Sequence, residues 1–493
     1  MILSIDARSR TACKAPKIVI KWQKREPKIF LEARKYFLKT RINHGEIISE
    51  GKRFFADLFI ENGKIVKIAP HIEETADTVI DASGCYVMPG FIDTHTHFDL
   101  DLGVTVTADD FKTGTRAAVL GGTTTVLDFA TQDRGMTMQD ALDLWHKKAE
   151  GSSCNYGFHM AVSEWNDARI AEIPRMIEQG VTSFKMYMVY DAMRVDDGAI
   201  YDALRRTAAE DCVIGVHCEN YDVLQRRIAD CKAQGWLDPT AHPVSRPNEV
   251  EAEAVARLMR IAQLAEAPAW VVHLSTKEGL EEALRARARG QEVYLETCPQ
   301  YLVLDDSAYA APDGAKFVMS PPLRKREDNA AILAAMQRSE IDVVGTDHCS
   351  FTMKQKALGS GDFSKIPNGG AGVENRGEIV HTAAVRSGTI TVEQMAEQLS
   401  TNAAKLFGMF PQKGCIREGS DADLVVFDPH ASRTISYKTN HHNCDNSPYE
   451  GMETTGRARD VLVNGVAAVR DFALVETGAG KYVYRSRSGR PNR

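Results

Sequence analysis

The chain has 493 residues, of which 43% are hydrophobic and 26% are charged, and its formal net charge is −7. This composition provides for a large core and a second domain, and it argues against a wholly disordered chain. The net negative charge argues against nucleic acid as a partner. The sequence contains no run of 18 apolar residues that would predict a membrane span. It also has no apolar segment near the N-terminus that would predict secretion. We therefore expect a cytoplasmic protein with reduced cysteines.

The first 35 residues differ from the rest because they are rich in Lys and Arg and show no helical or strand periodicity. We expect residues 1–35 to be a basic, poorly ordered N-terminal extension. Contact between this extension and an anionic surface is the alternative interpretation.

Both ends of the remaining chain predict antiparallel β structure. Residues 56–66 contain two strand patterns on either side of an Asn62-Gly63 turn, and similar patterns occur at 423–427 and 461–466. The simplest arrangement is one β-sandwich domain built from residues 36–88 and 406–475. Residues 476–493 then form a C-terminal tail.

The central residues, 89–405, show a different rhythm, in which short apolar runs alternate with helix-like stretches. The eight runs cover 86–92, 123–129, 156–162, 182–187, 213–217, 269–274, 292–296 and 342–346. This alternation predicts parallel βαβ units, and eight of them predict an α/β fold of the (β/α)8 TIM-barrel type as the catalytic domain. A doubly wound sheet is the alternative, but no GxGxxG follows the first strand to support a dinucleotide site.

Residue types that bind metals lie at the predicted carboxyl ends of these strands, where such a barrel has its active site. His95 and His97 are two residues apart on an extended strand, so their side chains point the same way. Neutral imidazoles and carboxylates suit Zn²⁺ and similar divalent ions. The candidate ligands are His95, His97, His217, His273 and Asp347.

Lys185 lies at the end of the fourth predicted strand. An ammonium group cannot bind a cation, but burial near metal charge favours the neutral amine. That amine can react with carbon dioxide to form a carbamate, which resembles a carboxylate. The spacing alone leaves this possibility open beside the simpler one, a lysine paired with an acid.

Eight short motifs add detail to this pattern. Two of them are Pro89-Gly90-Phe91-Ile92-Asp93-Thr94-His95-Thr96-His97 and Ser183-Phe184-Lys185-Met186-Tyr187-Met188-Val189-Tyr190, and the others cover 216–220, 272–276, 296–302, 320–324, 346–349 and 366–369. In content and order they resemble the motifs of the cyclic amidohydrolases, in particular the dihydropyrimidinase and D-hydantoinase family. The likeness extends from about residue 36 to 485.

The resemblance implies a binuclear metal centre. His95 and His97 would bind one divalent ion together with Asp347, and His217 and His273 would bind a second. Lys185, carboxylated on its side-chain nitrogen, would bridge the two ions, which we expect to be Zn²⁺.

The resemblance also implies the substrate contacts and the reaction. Main-chain groups of Ser320 and Asn368 would hold the ring, Tyr190 would hydrogen-bond the developing oxyanion, and Asp347 would transfer a proton to the leaving nitrogen. The substrate would be a small cyclic amide: 5,6-dihydrouracil, opened to N-carbamoyl-β-alanine, or dihydrothymine, with hydantoins as close isosteres. A homotetramer is implied as well.

Three alternatives remain. Dihydroorotases typically carry an Arg two residues after the His-x-His pair, where this chain has Asp99, and allantoinases differ at 296–302 and around Ser320. Collapsin-response-mediator proteins share the implied fold but are non-catalytic adaptors that have lost metal ligands. All six ligand positions are intact here, which favours an enzyme.

The segment after His97 departs from the family pattern. Relatives usually carry a Pro and bulkier apolar residues in this loop, whereas this chain has Asp101, Leu102 and Gly103. A more polar or roomier cover over the substrate argues against a strong preference for aryl hydantoins. The alternative is that these side chains face solvent.

Overall fold

The structure, a computed structural model, describes residues 39–475 and 477–487. Its strands are β1 (Thr40–Ser49), β2 (Lys52–Glu61), β3 (Lys64–Ala69), β4 (Thr78–Asp81), β5 (Tyr86–Pro89), β6 (Phe91–Thr96), β7 (Thr123–Gln132), β8 (Asn155–Val162), β9 (Ser183–Tyr187), β10 (Val213–His217), β11 (Ala269–Val271), β12 (Val293–Thr297), β13 (Val343–Val344), β14 (Leu424–Thr434), β15 (Glu453–Val463), β16 (Val466–Arg470) and β17 (Ala473–Leu474).

The described helices lie mainly between the strands of the central domain. The α-helices are Phe111–Leu120, Met138–Lys148, Asp167–Glu178, Asp197–Ala208, Tyr221–Ala233, Ala241–Ser245, Asn248–Ala265, Lys277–Ala288, Gln300–Val303, Arg326–Gln337, Met353–Lys356, Arg376–Val380, Val392–Ala396 and Asn402–Leu406. Short 3₁₀ segments cover Asp306–Ala310, Gly314–Phe317, Ala357–Gly359 and Phe363–Lys365, and π-helical turns cover His381–Val385 and Glu397–Thr401.

Strands from both ends of the chain form the sandwich domain. Its sheet has the order β17-β16-β15-β14-β5-β1-β2-β3, and β4 pairs with β1. Ile42 and Leu58 from one end share an apolar core with Leu424 and Leu462 from the other, so the sheet folds over on itself. This arrangement confirms the predicted β-sandwich.

The two predicted hairpins have the backbone that their sequences require. Asn62-Gly63 joins β2 to β3, and Asn464-Gly465 joins β15 to β16, and all four residues have positive φ. Two consecutive residues with positive φ characterise the tight hairpin turns that Asn-Gly favours. The Asn-Gly signal therefore predicts both turns correctly.

Eight parallel strands, in the order β13-β12-β11-β10-β9-β8-β7-β6, form the central barrel. Thr96 and His348 form a bridge between the first strand and the chain beyond the last one, and the N–H of His97 donates to the carbonyl of His348. This bridge closes the cylinder and confirms the predicted (β/α)8 fold.

The first predicted run, 86–92, is wrong as a single strand. The structure divides it at Gly90 into β5, which belongs to the sandwich, and β6, which begins the barrel. Gly90 lies against the side chain of Thr124, so an added Cβ would come within 2.0 Å of its Oγ1. Only glycine fits where the chain passes from one sheet to the other.

Helix caps and a C-terminal segment complete the barrel. Asp110 and Thr137 cap the helices Phe111–Leu120 and Met138–Lys148 with reciprocal side-chain bonds. Near the C-terminus, Tyr482 pairs with Tyr156, and the buried Arg485 donates to the hydroxyl of Ser183 at 2.7 Å. Residues 477–487 thus pack against the barrel.

The domain limits proposed from the sequence stay predictions. The extension at 1–35 lies outside the described residues, as do residue 476 and residues 488–493 of the tail. Among the described helices, none has the length and apolarity needed to cross a membrane.

Candidate metal centre

Strand β6 presents the His-x-His pair at the barrel mouth. Asp347 follows the short last strand, β13, and lies next to the bridge that closes the barrel. The Nε2 atoms of His95 and His97 each lie 3.2 Å from Oδ1 of Asp347. The closure of the barrel therefore brings together ligands from the first and last strands.

The other predicted ligands complete one cluster around these three residues. The potential ligand atoms of His95, His273 and Asp347 lie within 4.8 Å of one another. Lys185 Nζ is 3.5 Å from His95 Nε2, and the ring of His217 is 4.5 Å from the ring of His273, measured between centroids. All six predicted ligands thus meet at one place, although their roles as ligands stay predictions.

Buried carboxylates set the orientation of two of the imidazoles. Glu296 Oε1 lies 2.5 Å from His95 Nδ1, while Thr94 Oγ1 and the backbone N–H of His273 also donate to Glu296. With Nδ1 bonded to Glu296, the other ring nitrogen of His95, Nε2, faces the cluster, where it lies 3.2 Å from Asp347 Oδ1. This pattern is typical of metal-binding histidines.

Glu219 orients His217 in the same way. Its Oε2 lies 2.7 Å from His217 Nε2 and 2.6 Å from an Arg246 nitrogen. Burial opposes ionisation of Glu219, but the Arg246 guanidinium and the bond to His217 outweigh it and hold the pKa well below its usual range. The other ring nitrogen of His217, Nδ1, is then the one left for an ion.

Burial keeps the cluster in the protonation states that bind cations. It lowers the pKa of His95, His217 and His273, so their imidazoles are neutral at physiological pH. Burial would raise the pKa of Asp347, but the surrounding imidazoles, including that of His97, bring it well below its usual value. Neutral imidazoles around an ionised carboxylate form a suitable donor set for Zn²⁺.

A buried ring nitrogen of the cluster supports the fit to a metal. Nδ1 of His273 is buried and has no hydrogen-bond partner among the described residues. A buried polar atom without a partner costs free energy unless another ligand satisfies it. This donor set therefore fits a divalent cation.

Lys185 is buried beside the imidazoles, and burial lowers the pKa of its amine. In the described part of the chain, no carboxylate lies within ion-pair distance of its Nζ, which instead faces the rings of Phe129 and Tyr187 at 4.8 and 5.1 Å. The ion pair between Lys185 and an acid, which the sequence left open, is therefore not formed among the described residues.

The backbone is strained at three positions of the site. Tyr190, His273 and Asp347 have φ values of 75°, 40° and 51°, in the left-handed region that side chains other than glycine rarely adopt. Each such residue costs on the order of 1–3 kcal/mol, so the surrounding fold must hold it in place. Strain at three site residues is typical of a functional centre.

The three predicted substrate-binding residues lie beside the cluster. The ring of Tyr190 is 5.2 Å from that of His217, measured between centroids, and its phenol lies near Ser320. Ser320 Oγ donates to Asn368 Oδ1 at 3.2 Å. The three predicted substrate-binding residues are therefore neighbours of one another and of the cluster.

The loop after His97 leaves its side chains in solvent. Leu102 is 42% exposed and Val104 is 75% exposed, while Asp101 accepts from the backbone of Gly103 within the loop. Gln355 anchors this loop from outside by donating to Thr105 Oγ1 and the Val106 carbonyl. The solvent-facing alternative is therefore the one that this structure adopts.

Sequence reasoning gave no role to three buried acids that shape the site. Glu296 and Glu219 orient histidines, and Asp128 accepts from the hydroxyl of Thr96 and the N–H of Phe98 on either side of His97. A recognisable signal was available, since each acid lies within or just after an apolar strand, where an unpaired charge is costly.

Comparisons with known proteins agree with this geometry. The amidohydrolase family profile matches residues 86–468. The chain belongs to the amidohydrolase family. A D-hydantoinase of Geobacillus stearothermophilus is 44% identical over 455 residues, which cover 91% of this chain and 97% of that protein. A D-hydantoinase of Streptomyces coelicolor is 46% identical over 84% of this chain and 89% of its own length.

The solved structures give the same result for the fold. A dihydropyrimidinase from Brevibacillus agri superposes with a TM-score of 0.91 at 43% identity, covering 92% of this chain and all of that one. This amidohydrolase therefore belongs to the dihydropyrimidinase and D-hydantoinase branch, as the sequence motifs predicted. It is a hydrolase of cyclic amides, and the comparisons favour this interpretation over the adaptor, dihydroorotase and allantoinase alternatives.

The orientation of His95 by Glu296 gives a first prediction. Glu296→Gln keeps the shape of the side chain but weakens the acceptor for His95 Nδ1, so we expect metal affinity to fall by about tenfold or more. Competition with a chromophoric chelator measures this change. Glu251→Gln is the matched control, because Glu251 is equally buried but contacts Ser275 and Arg324. If Glu296→Gln and Glu251→Gln bind the metal with equal affinity, the role of Glu296 in orienting His95 is contradicted.

Proposed function

We propose that this hydrolase opens the ring of 5,6-dihydropyrimidines, converting dihydrouracil to N-carbamoyl-β-alanine, and that it also accepts hydantoins. The observation that carries the proposal is that Tyr190, next to His217 of the cluster, lies near the hydrogen-bonded pair Ser320 and Asn368. Similarity to D-hydantoinases and a dihydropyrimidinase supports the same substrate class.

The proposed cofactor is a pair of Zn²⁺ ions held by His95, His97, His217, His273 and Asp347 and bridged by carboxylated Lys185. Two features support it: the imidazoles of His95, His217 and His273 have lowered pKa values and are neutral, and the Lys185 amine is buried with a lowered pKa. A less basic amine spends more time in the form that attacks carbon dioxide. The carbamate would bring a negative charge to a place crowded with ligands for cations.

The chemistry supplied by bound divalent ions is Lewis acidity, which polarises the amide carbonyl and lowers the pKa of water towards neutrality. Asp347 is ionised and lies 3.2 Å from both His95 and His97, so it can accept the proton of the attacking water and deliver it to the leaving nitrogen. Without this transfer the amide nitrogen would be a poor leaving group.

Tyr190 would contribute a hydrogen-bond donor to the reacting carbonyl. Burial raises the pKa of its phenol, so the hydroxyl stays protonated at neutral pH. It can therefore donate to the oxyanion that develops on the substrate. Main-chain groups of Ser320 and Asn368 would orient the ring against this donor.

The exposed loop after His97 bears on substrate choice. Leu102 and Val104 point into solvent, so in this structure their side chains do not select the substituent on the ring. The preference for small rings over aryl hydantoins remains part of the proposal on the basis of the sequence of this loop. A homotetramer and a cytoplasmic location complete the proposal, on the strength of the family resemblance and of the composition.

A comparison of four substrates tests the proposed function. We expect the metal-loaded protein to open dihydrouracil and hydantoin with the highest kcat/KM, a 5-aryl hydantoin more slowly, and allantoin not measurably. Ring opening is followed by loss of ultraviolet absorbance and by chromatography of the carbamoyl product. Hydrolysis of allantoin alone, or of none of the four by protein with bound metal, would contradict the proposal.

The proposed carbamate has a spectroscopic test that does not depend on turnover. Protein reconstituted with Zn²⁺ and ¹³C-bicarbonate is expected to show a ¹³C carbamate resonance that is missing in Lys185→Met. The variant should also bind fewer ions per chain, because it lacks the bridging group. Two bound ions in the wild type without the resonance would contradict the bridge.

The donor role of Tyr190 gives a sharper kinetic prediction. Tyr190→Phe removes only the hydroxyl, so we expect kcat to fall by on the order of 10²–10³ while metal content is unchanged. Tyr221→Phe is the control, since Tyr221 packs in the same small cluster but bonds Asp191 instead. Wild-type kcat in Tyr190→Phe would remove this residue from the mechanism.

A further inference from the structure

A buried lysine outside the metal cluster joins the two segments that carry Ser320 and Asn368. Lys356 ends the short helix Met353–Lys356, and its side chain is only 1% exposed. Its Nζ donates to three backbone carbonyls: Val318 at 2.8 Å, Pro367 at 2.7 Å and Gly369 at 2.6 Å. These acceptors lie two residues before Ser320 and on either side of Asn368.

Burial makes a charge on Lys356 costly. Among the described residues its Nζ has backbone carbonyls as hydrogen-bond partners and no carboxylate in an ion pair, and the ring of Phe351 lies 5.3 Å away. A buried charge without a counter-ion is destabilising unless hydrogen bonds satisfy it. Three carbonyls match the three N–H groups of an ammonium, so the geometry uses the full donor capacity of this residue.

Among the described residues, two further hydrogen bonds join the two segments. Gly369 N–H donates to the Val318 carbonyl at 3.0 Å, and Ser320 Oγ donates to Asn368. The Val318 carbonyl therefore accepts from both Gly369 and Lys356. Gly369 has a φ of 143°, and an added Cβ would lie 2.2 Å from the Cys349 carbonyl oxygen, so only glycine fits at this position.

Both segments come close to Asp347. Met319 from the first segment and Gly370, which directly follows the second, line a small cavity together with Asp347. The separation of the two segments therefore affects the main chain beside Asp347. A side chain that fixes this separation would act on substrate binding without touching the substrate.

We propose that Lys356 is a positioning residue for the substrate: by binding three carbonyls it holds the main chain at 318–320 and 367–369 at the distance that the ring requires. The inference rests on the proposed function, because it takes Ser320 and Asn368 as the groups that contact the ring. The task assigned to Lys356 is to fix the separation between the main-chain groups of Ser320 and Asn368.

The test compares Lys356→Met, which keeps the apolar stem and loses the donors, with Lys356→Gln, which retains two N–H donors on a shorter chain. We expect Lys356→Met to raise KM for dihydrouracil by about tenfold or more, because a small misplacement of binding groups is costly. The kcat and the metal content should change by less than about threefold. Lys356→Gln should recover part of the loss, and it carries the test if Lys356→Met does not fold.

Lys413→Met is the matched control, because Lys413 is a second buried lysine but pairs with Asp421 and Asp423 in the sandwich domain. This control should lose stability with KM unchanged. A wild-type KM in Lys356→Met, or a fall in kcat at constant KM, would overturn the positioning role. If Lys356→Met and Lys413→Met raise KM equally, the effect is one of general stability and the proposal also fails.

Hydrogen exchange separates this inference from the proposed function. In the substrate-free protein, Lys356→Met should speed exchange of the Gly369 amide and its neighbours, whereas Lys413→Met should leave them at the wild-type rate. Unchanged exchange in Lys356→Met overturns the link whatever the substrate is. A wild-type protein that opens none of the four rings contradicts the proposed function instead.

Discussion

The contact between Glu296 and His95 is the interaction on which the arrangement of the site depends. It fixes the tautomer of an imidazole that lies between this buried acid and Asp347, so Nε2 faces the cluster. Glu296 also receives the backbone N–H of His273 and thereby joins strands β6, β11 and β12. This one carboxylate thus holds two predicted ligands, His95 and His273, from two strand ends, and a change in its position would displace both residues.

Exclusion of water provides the electrostatic background for this geometry. The imidazoles, Lys185 and the acids beside them are almost fully buried, which disfavours every charged form that lacks a partner. Glu219 keeps its charge because Arg246 balances it, whereas the histidines remain neutral. The result is a set of lone pairs directed inwards, surrounded by a second layer of compensated charges.

The sequence predicts the parts of this protein that repeat or that carry a distinctive residue pair. Eight apolar runs identify the barrel, and the two Asn-Gly pairs identify hairpins, because period and turn chemistry are local properties. The division at Gly90 escapes such reasoning, since β5 and β6 are both apolar and only the contact with Thr124 separates them. Lys356 escapes it for a similar reason: in a polar stretch beside Lys354 and Gln355, nothing local distinguishes a buried lysine from an exposed one.

The bridge between Thr96 and His348 has a consequence for how the protein matures. His95 and Thr346, which are hydrogen-bonded beside that bridge, are 251 residues apart along the chain. Contacts between residues so far apart in the sequence form late, because a long loop must close before they are made. A nascent chain still lacking its last barrel strand has no Asp347 and no closed mouth, so the proposed metal centre can be assembled only at the end of folding.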